Sequence, residues 1–216
     1  MIFKDLKKRV YTSLILFILI FLIINFNFAL MFVLIILGLY SILEFFAISK
    51  KIFINKYHQL IFNCIFTIYI FSYCFMFFFF SNFIQLKIIL FSLLIGCVFS
   101  DIGGFVFGKI FKGPKLTKIS PNKTISGAFG SLIFTCFIIC LIFYFYTNAF
   151  DYKVLAIGIV TSITCQIGDL FFSFLKRKAK IKDTGNFLPG HGGVLDRVDG
   201  ILVGIPIGYI ILILIY

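Results

Sequence analysis

Eight acidic residues stand in the 216-residue chain: Asp5, Glu44, Asp101, Asp151, Asp169, Asp183, Asp196 and Asp199. Asp101 and Asp169 each lie inside a long apolar run, six residues short of its basic end. On a helix that is about 9 Å deep. A carboxylate at the centre of a bilayer costs about 2.5–3.5 kcal/mol on insertion scales, and less near the edge, so it normally faces a cavity or a partner. Asp196 and Asp199 are spaced i, i+3 just before the last apolar run, on one side if helical. All four aspartates approach the same boundary. Clustered carboxylates repel unless something neutralises them. An interhelical salt bridge with lysine would do so, and so would a hard cation such as Mg²⁺ or Ca²⁺, which takes oxygen ligands. Nucleotidyl and phosphoryl transfer use metals in this way. Asp5 and Asp151 read as solvated edge charges, and Glu44 as a helix-end charge paired with Lys50 or Lys51.

Two basic segments adjoin these acids and suit an anionic substrate. One covers 108–124, with Lys109, Lys115, Ser120, Lys123 and Thr124; the other covers 176–199, with Lys176, Arg177, Lys182, Asp183, His191 and Arg197. Gly190, Gly192 and Gly193 surround His191 and free the backbone to aim N–H groups at a phosphate. Gly103 to Lys109 has the Gly-x4-Gly-Lys spacing of a phosphate-binding loop. Ile110 stands where that motif needs Ser or Thr, so the match is rejected.

The elements that must carry these residues are membrane helices. Of the residues, 62% are hydrophobic and 13% charged, with 20 Lys+Arg against 8 Asp+Glu, a formal +12. Mean hydropathy is +1.14. So little polar surface excludes a soluble nucleic-acid binder and a disordered chain. The runs are apolar on every side, unlike barrel strands. The reading is an all-α polytopic bundle of about seven spans: Val10–Ile24, Phe28–Ile48, Leu60–Phe80, Ile88–Phe107, Gly127–Tyr146, Val154–Leu175 and Ile201–Tyr216. The first is read as a retained helix, not a cleaved signal, with a turn at Asn25–Asn27. With the N-terminus cytoplasmic, 18 of the 20 basic residues fall on the cytoplasmic side. Residues 1–99 form N-terminal membrane helices, and 100–216 a catalytic membrane domain.

Two helical faces point inward. Ser162, Gln166, Asp169 and Ser173 make a polar stripe. Ser92, Gly96, Ser100 and Gly104 make a small-residue face that brings Asp101 to a helix–helix interface. The six cysteines read as apolar packing residues.

Ser173, Lys176-Arg177, Lys182-Asp183, Gly185, Pro189, His191-Gly192-Gly193, Asp196-Arg197 and Asp199, in this order, resemble the signature of the phosphatidate cytidylyltransferases (CDP-diacylglycerol synthases). An upstream block is also similar: Asp101, Gly103, Gly108-Lys109, Lys115-Leu116, Ser120-Pro121, Lys123-Thr124 and Gly127. The chain departs at Ile102, Phe105 and Ser126, where the family usually has a hydroxyl residue, Tyr and Glu. The resemblance implies CTP + phosphatidate → CDP-diacylglycerol + pyrophosphate, at the cytoplasmic face of a bacterial inner membrane. It implies Mg²⁺ on Asp169 and Asp196, with Asp101 and Asp199 near it, and leaves a second cation and a homodimer open. Lys176, Arg177, Lys182 and Arg197 are expected to neutralise phosphates. His191 is expected to be a phosphate donor or loop organiser. Ser173, Asp183, Gly192, Gly193, Lys109, Ser120, Lys123 and Thr124 are expected on the substrates. The alternatives are a CTP-dependent polyprenol or phytol kinase and, from another class, a cation transporter.

Overall fold

A computed structural model describes residues 21–117, 119–120, 123–185 and 192–216. Most of the expected span Val10–Ile24, with Lys118, Pro121, Pro189 and His191, lies outside the described residues. Residues 21–25 are helical. Six long helices follow: α1 Asn27–Ile52, α2 Lys56–Ser81, α3 Ile84–Phe111, α4 Ile125–Thr147, α5 Tyr152–Lys178 and α6 Leu195–Ile215. Each is long and apolar enough to cross a membrane. At 21–28 residues they reach roughly 30–40 Å, enough for a hydrocarbon core of about 30 Å. The chain is a polytopic helical membrane protein.

The apolar runs mark the helix centres, and the helices extend past them to capping residues. Asn55, Thr124 and Asp151 accept N–H bonds from Tyr57, Gly127 and Lys153, capping α2, α4 and α5. The turn expected at Asn25–Asn27 is a break at Phe26, whose backbone is extended (φ −122°, ψ 111°). The largest extension is at α6, which begins at Leu195, six residues before the apolar run at Ile201. Asp196 and Asp199 therefore ride on its first two turns. The P-loop-like stretch lies wholly inside α3, as its rejection requires.

The bundle is apolar outside and buries small polar side chains within a mainly apolar core. Phe28, Phe71, Phe145 and Leu214 are more than 70% exposed, while Ser92, Ser100, Thr135, Thr161 and Ser162 are buried. That is the arrangement lipid selects, because interhelical contact there depends on close packing and hydrogen bonds. Ser131 Oγ donates to the Ser100 carbonyl (2.7 Å), and Thr135 Oγ1 donates to that of Ser131 (2.7 Å) while lying 3.3 Å from that of Gly96. The small face of α3 thus packs on α4. A Cβ at Gly103 would stand 2.5 Å from the Gly130 carbonyl oxygen, so only glycine permits this crossing.

Side-chain links define the two ends. At one, Asn27, Asn82 and Lys87 join through 2.9 and 3.1 Å bonds, and Tyr216 donates to Asp151. At the other, the basic end, α1, α3, α5 and the loops to α4 and α6 converge.

Pro206 sits inside α6. It has no N–H, so the Leu202 carbonyl loses its helical donor. The Tyr69 hydroxyl on α2 donates to that carbonyl. Tyr69→Phe should therefore cost about 1–3 kcal/mol of stability. Adding Pro206→Ala should restore part of the loss, because residue 206 then supplies the N–H. Melting of the single and double variants in detergent checks both expectations.

Candidate functional site

Ten residues before the end of α3, Asp101 enters a cavity of about 190 Å³ between α3, α4 and α5. Asp169, Gln166, Lys123, Thr124 and Phe105 share its wall. Lys123 reaches from the loop before α4 and pairs with Asp169. Gln166 Nε2 lies 3.2 Å from Ser162 Oγ and 3.3 Å from the Ala128 carbonyl, so the polar stripe of α5 does face neighbouring helices. Asp101 is within electrostatic range of Asp169, Lys123 and Arg197.

A second charged cluster lies where α5 meets α6. Lys176 Nζ stands 2.6 Å from Asp196 Oδ1 and 3.7 Å from Asp199 Oδ2. All three side chains are only 10–12% exposed. Asp196 Oδ2 accepts from the Thr184 N–H (2.7 Å) and the Gly193 N–H (3.2 Å), and the Thr184 hydroxyl oxygen lies 3.0 Å from it. Asp199 interacts electrostatically with Asp169 and Asp101, which joins the two clusters. Close packing makes this possible: a Cβ at Gly168 would lie 2.8 Å from the Asp199 carbonyl oxygen.

The four aspartates thus gather as expected, and lysine pairing accounts for much of their neutralisation. Among the described residues, no three His, Cys, Asp or Glu side chains converge on one point as a finished metal cage. The donor chemistry still fits a hard cation. Asp101 and Asp169 offer carboxylate oxygens to one cavity, where the Lys123 ammonium already pairs with Asp169.

The other expected site residues take varied places. Thr124 caps α4, accepting from Gly127 N–H at 3.1 Å, and also lines the cavity. The Ser120 carbonyl accepts the Lys123 N–H (3.1 Å) and shapes the turn before α4. Arg177 Nε donates to the Ile119 carbonyl (3.4 Å), tying the two basic segments together. Lys109 stands 5.7 Å from the Phe105 ring centroid. Ser173 is half-buried on α5; Lys182, Asp183 and Arg197 are exposed. Gly192 has φ +84°, a conformation that favours glycine. The Gly193 N–H is used within the protein, on Asp196. His191 lies outside the described residues.

Glu44 departs from the sequence reading. It makes no ion pair with Lys50 or Lys51 among the described residues. It is buried, 8% exposed, beneath the start of α6. Its oxygens accept from Val194 N–H and Leu195 N–H, both at 2.9 Å, and from Thr184 Oγ1 at 2.5 Å. The partners are 140–151 residues away, so no local spacing announces them.

The fold and site define a membrane-embedded helical protein with a charge-lined cavity at the basic end of its bundle. The chain belongs to the cytidylyltransferase family, whose match spans residues 7–215. It is 39% identical over 125 residues to a phosphatidate cytidylyltransferase of Mycobacterium leprae (strain TN), covering 57% of this chain and 40% of that protein. It is 39% identical over 141 residues to that of Staphylococcus haemolyticus (strain JCSC1435), covering 64% and 54%. It is 41% identical over 119 residues to that of Rickettsia bellii (strain RML369-C), covering 51% and 52%. The chain thus spans about half the length of the curated relatives it matches.

Lys176 neutralises two nearly buried carboxylates, and Lys123 one that is a quarter exposed. Lys176→Met should therefore cost about 3–5 kcal/mol, because it strands buried charge. Lys123→Met should cost about 1 kcal/mol or less. Thermal melts of both variants in detergent test the order.

Proposed function

We propose that this chain transfers the cytidylyl group of CTP to phosphatidate, giving CDP-diacylglycerol and pyrophosphate. The observation that carries the reading is the convergence of Asp101, Asp169, Asp196 and Asp199 with Lys123 and Lys176 at the basic end of a lipid-facing bundle. A lipid phosphate lies at such a boundary, and a soluble nucleotide reaches it from water. The names of the relatives and the chain's place in the cytidylyltransferase family support the same assignment.

In the proposed reaction a phosphatidate phosphate oxygen attacks the α-phosphorus of CTP in line. The new P–O bond forms as the bond to the β-phosphate oxygen breaks, and pyrophosphate leaves with that electron pair. The attacking phosphate is already anionic near neutral pH, so it needs no obligatory base. Lys176, Arg177, Lys182 and Arg197 offset charge on the phosphates and on the leaving group. Lys123 and Lys109 extend that field, and Ser120, Thr124, Ser173, Asp183, Gly192 and Gly193 shape the substrate surface. His191 is assigned a phosphate contact. Asp169 and Asp196, with Asp101 and Asp199 beside them, would hold Mg²⁺, whose chemistry there is neutralisation of phosphate oxygens. By the positive-inside rule, the basic residues of this end support a cytoplasmic orientation, which fits a bacterial inner membrane.

The test uses purified protein in phosphatidate-containing micelles with Mg²⁺ and CTP labelled at the α- or the γ-phosphate. Label from the α-phosphate should enter lipid, with pyrophosphate released. Transfer of the γ label would indicate a CTP-dependent lipid kinase. Asp169→Asn and Asp196→Asn should each lower turnover by roughly 100-fold or more, with membrane insertion unchanged. Near-wild-type turnover in both would overturn the assignment of the carboxylates.

A further inference from the structure

Glu44 stands on α1, far in sequence from every residue of the proposed chemistry, yet its carboxylate is spent on the segment that carries Asp196. Helix α6 begins with no side-chain cap of its own. Its leading N–H groups, at Val194 and Leu195, both point at Glu44. A buried carboxylate at a helix N-terminus is favoured by the helix dipole and by those donors. The same carboxylate binds the Thr184 hydroxyl at 2.5 Å. Thr184 in turn holds Asp196 Oδ2 with its backbone N–H at 2.7 Å. The hydroxyl oxygen also lies 3.0 Å from that oxygen, but a hydroxyl has one proton, and the shorter contact is to Glu44. Thr184 is therefore a coupling residue, with its side chain on Glu44 and its backbone on Asp196.

The result for Asp196 is an asymmetric carboxylate. Oδ2 is taken up by Thr184 and Gly193, while Oδ1 faces Lys176 at 2.6 Å. We propose that Glu44 is a positioning residue: through the α6 N-terminus and Thr184 it fixes Asp196 so that Oδ1 alone is presented to the site. The space around it is tight enough to hold this register. A Cβ at Gly185 would stand 2.6 Å from Glu44 Oε1, and one at Gly193 2.5 Å from Glu44 Oε2. Glycine at both positions is needed for the loop to close over the carboxylate.

The experiment has two arms, and only the kinetic one rests on the proposed cytidylyl transfer. Hydrogen exchange of the full-length protein in detergent reads the 184–199 segment directly. In Glu44→Gln the amides of Thr184, Val194 and Leu195 should exchange at least about tenfold faster, with the rest of α6 unchanged. Unchanged exchange would overturn the proposal whatever the activity. In the kinetic arm, Thr184→Val keeps the side-chain shape and removes the hydroxyl, and the detergent melt of each variant checks that it is folded. It and Glu44→Gln should each lower kcat by roughly 10–100-fold, with KM for CTP little changed. Thr184→Ser should stay near wild type, and the Glu44→Gln/Thr184→Val double variant should fall no further than the worse single one. Wild-type-like kcat in Thr184→Val would remove the hydroxyl from the coupling and overturn the proposal. An inactive wild-type protein would overturn the assigned reaction instead, and the exchange arm would still decide whether Glu44 holds Asp196.

Discussion

Charge buried in an apolar surround must be compensated on the spot, and the basic end of this bundle is organised by that demand. Four of the acids there show two kinds of solution. Asp169 pairs with a loop lysine, and Asp196 and Asp199 share Lys176. Glu44 uses a helix N-terminus and a hydroxyl in place of a cation. These compensations draw α1, α5, α6 and the loop before α4 to one point. The loop before α6 buries Ala179 and Val194, and the charged contacts add to that anchoring.

The rest of the bundle makes that convergence geometrically possible. Lipid gives no hydrophobic reason for one apolar helix to join another, so association rests on closeness. Small residues supply it. Gly103 and Gly130 bring α3 against α4, and Gly168 and Gly200 bring α5 against α6. Many phenylalanines are turned outward to the lipid-facing surface, while Phe45, Phe66, Phe77 and Phe172 pack in the core.

The spans were legible because apolar length is a local property. Asp101 and Asp169 were legible for the same reason, since a charge inside an apolar run is conspicuous wherever it points. The start of α6 was less so. Its first turn is polar, and what satisfies its N–H groups comes from position 44, on another helix. Glu44 was misread because its nearest cations in sequence, Lys50 and Lys51, lie beyond the end of the apolar run, whereas its actual partners are backbone groups of a distant loop. Spacing also placed Lys123 and Lys176 near phosphate chemistry and allowed a lysine bridge to the buried aspartates, but it could not indicate which lysine meets which carboxylate.

That pairing has a thermodynamic consequence. An anion that draws Lys123 away leaves Asp169 bare, and a cation that takes Asp169 leaves Lys123 bare. Each guest alone pays for a broken ion pair; together they leave neither residue unsatisfied. Electroneutrality therefore couples the two occupancies, and by linkage each guest raises the affinity for the other by the same factor. A cavity built in this way would hold an anion and a cation more tightly as a set than either alone.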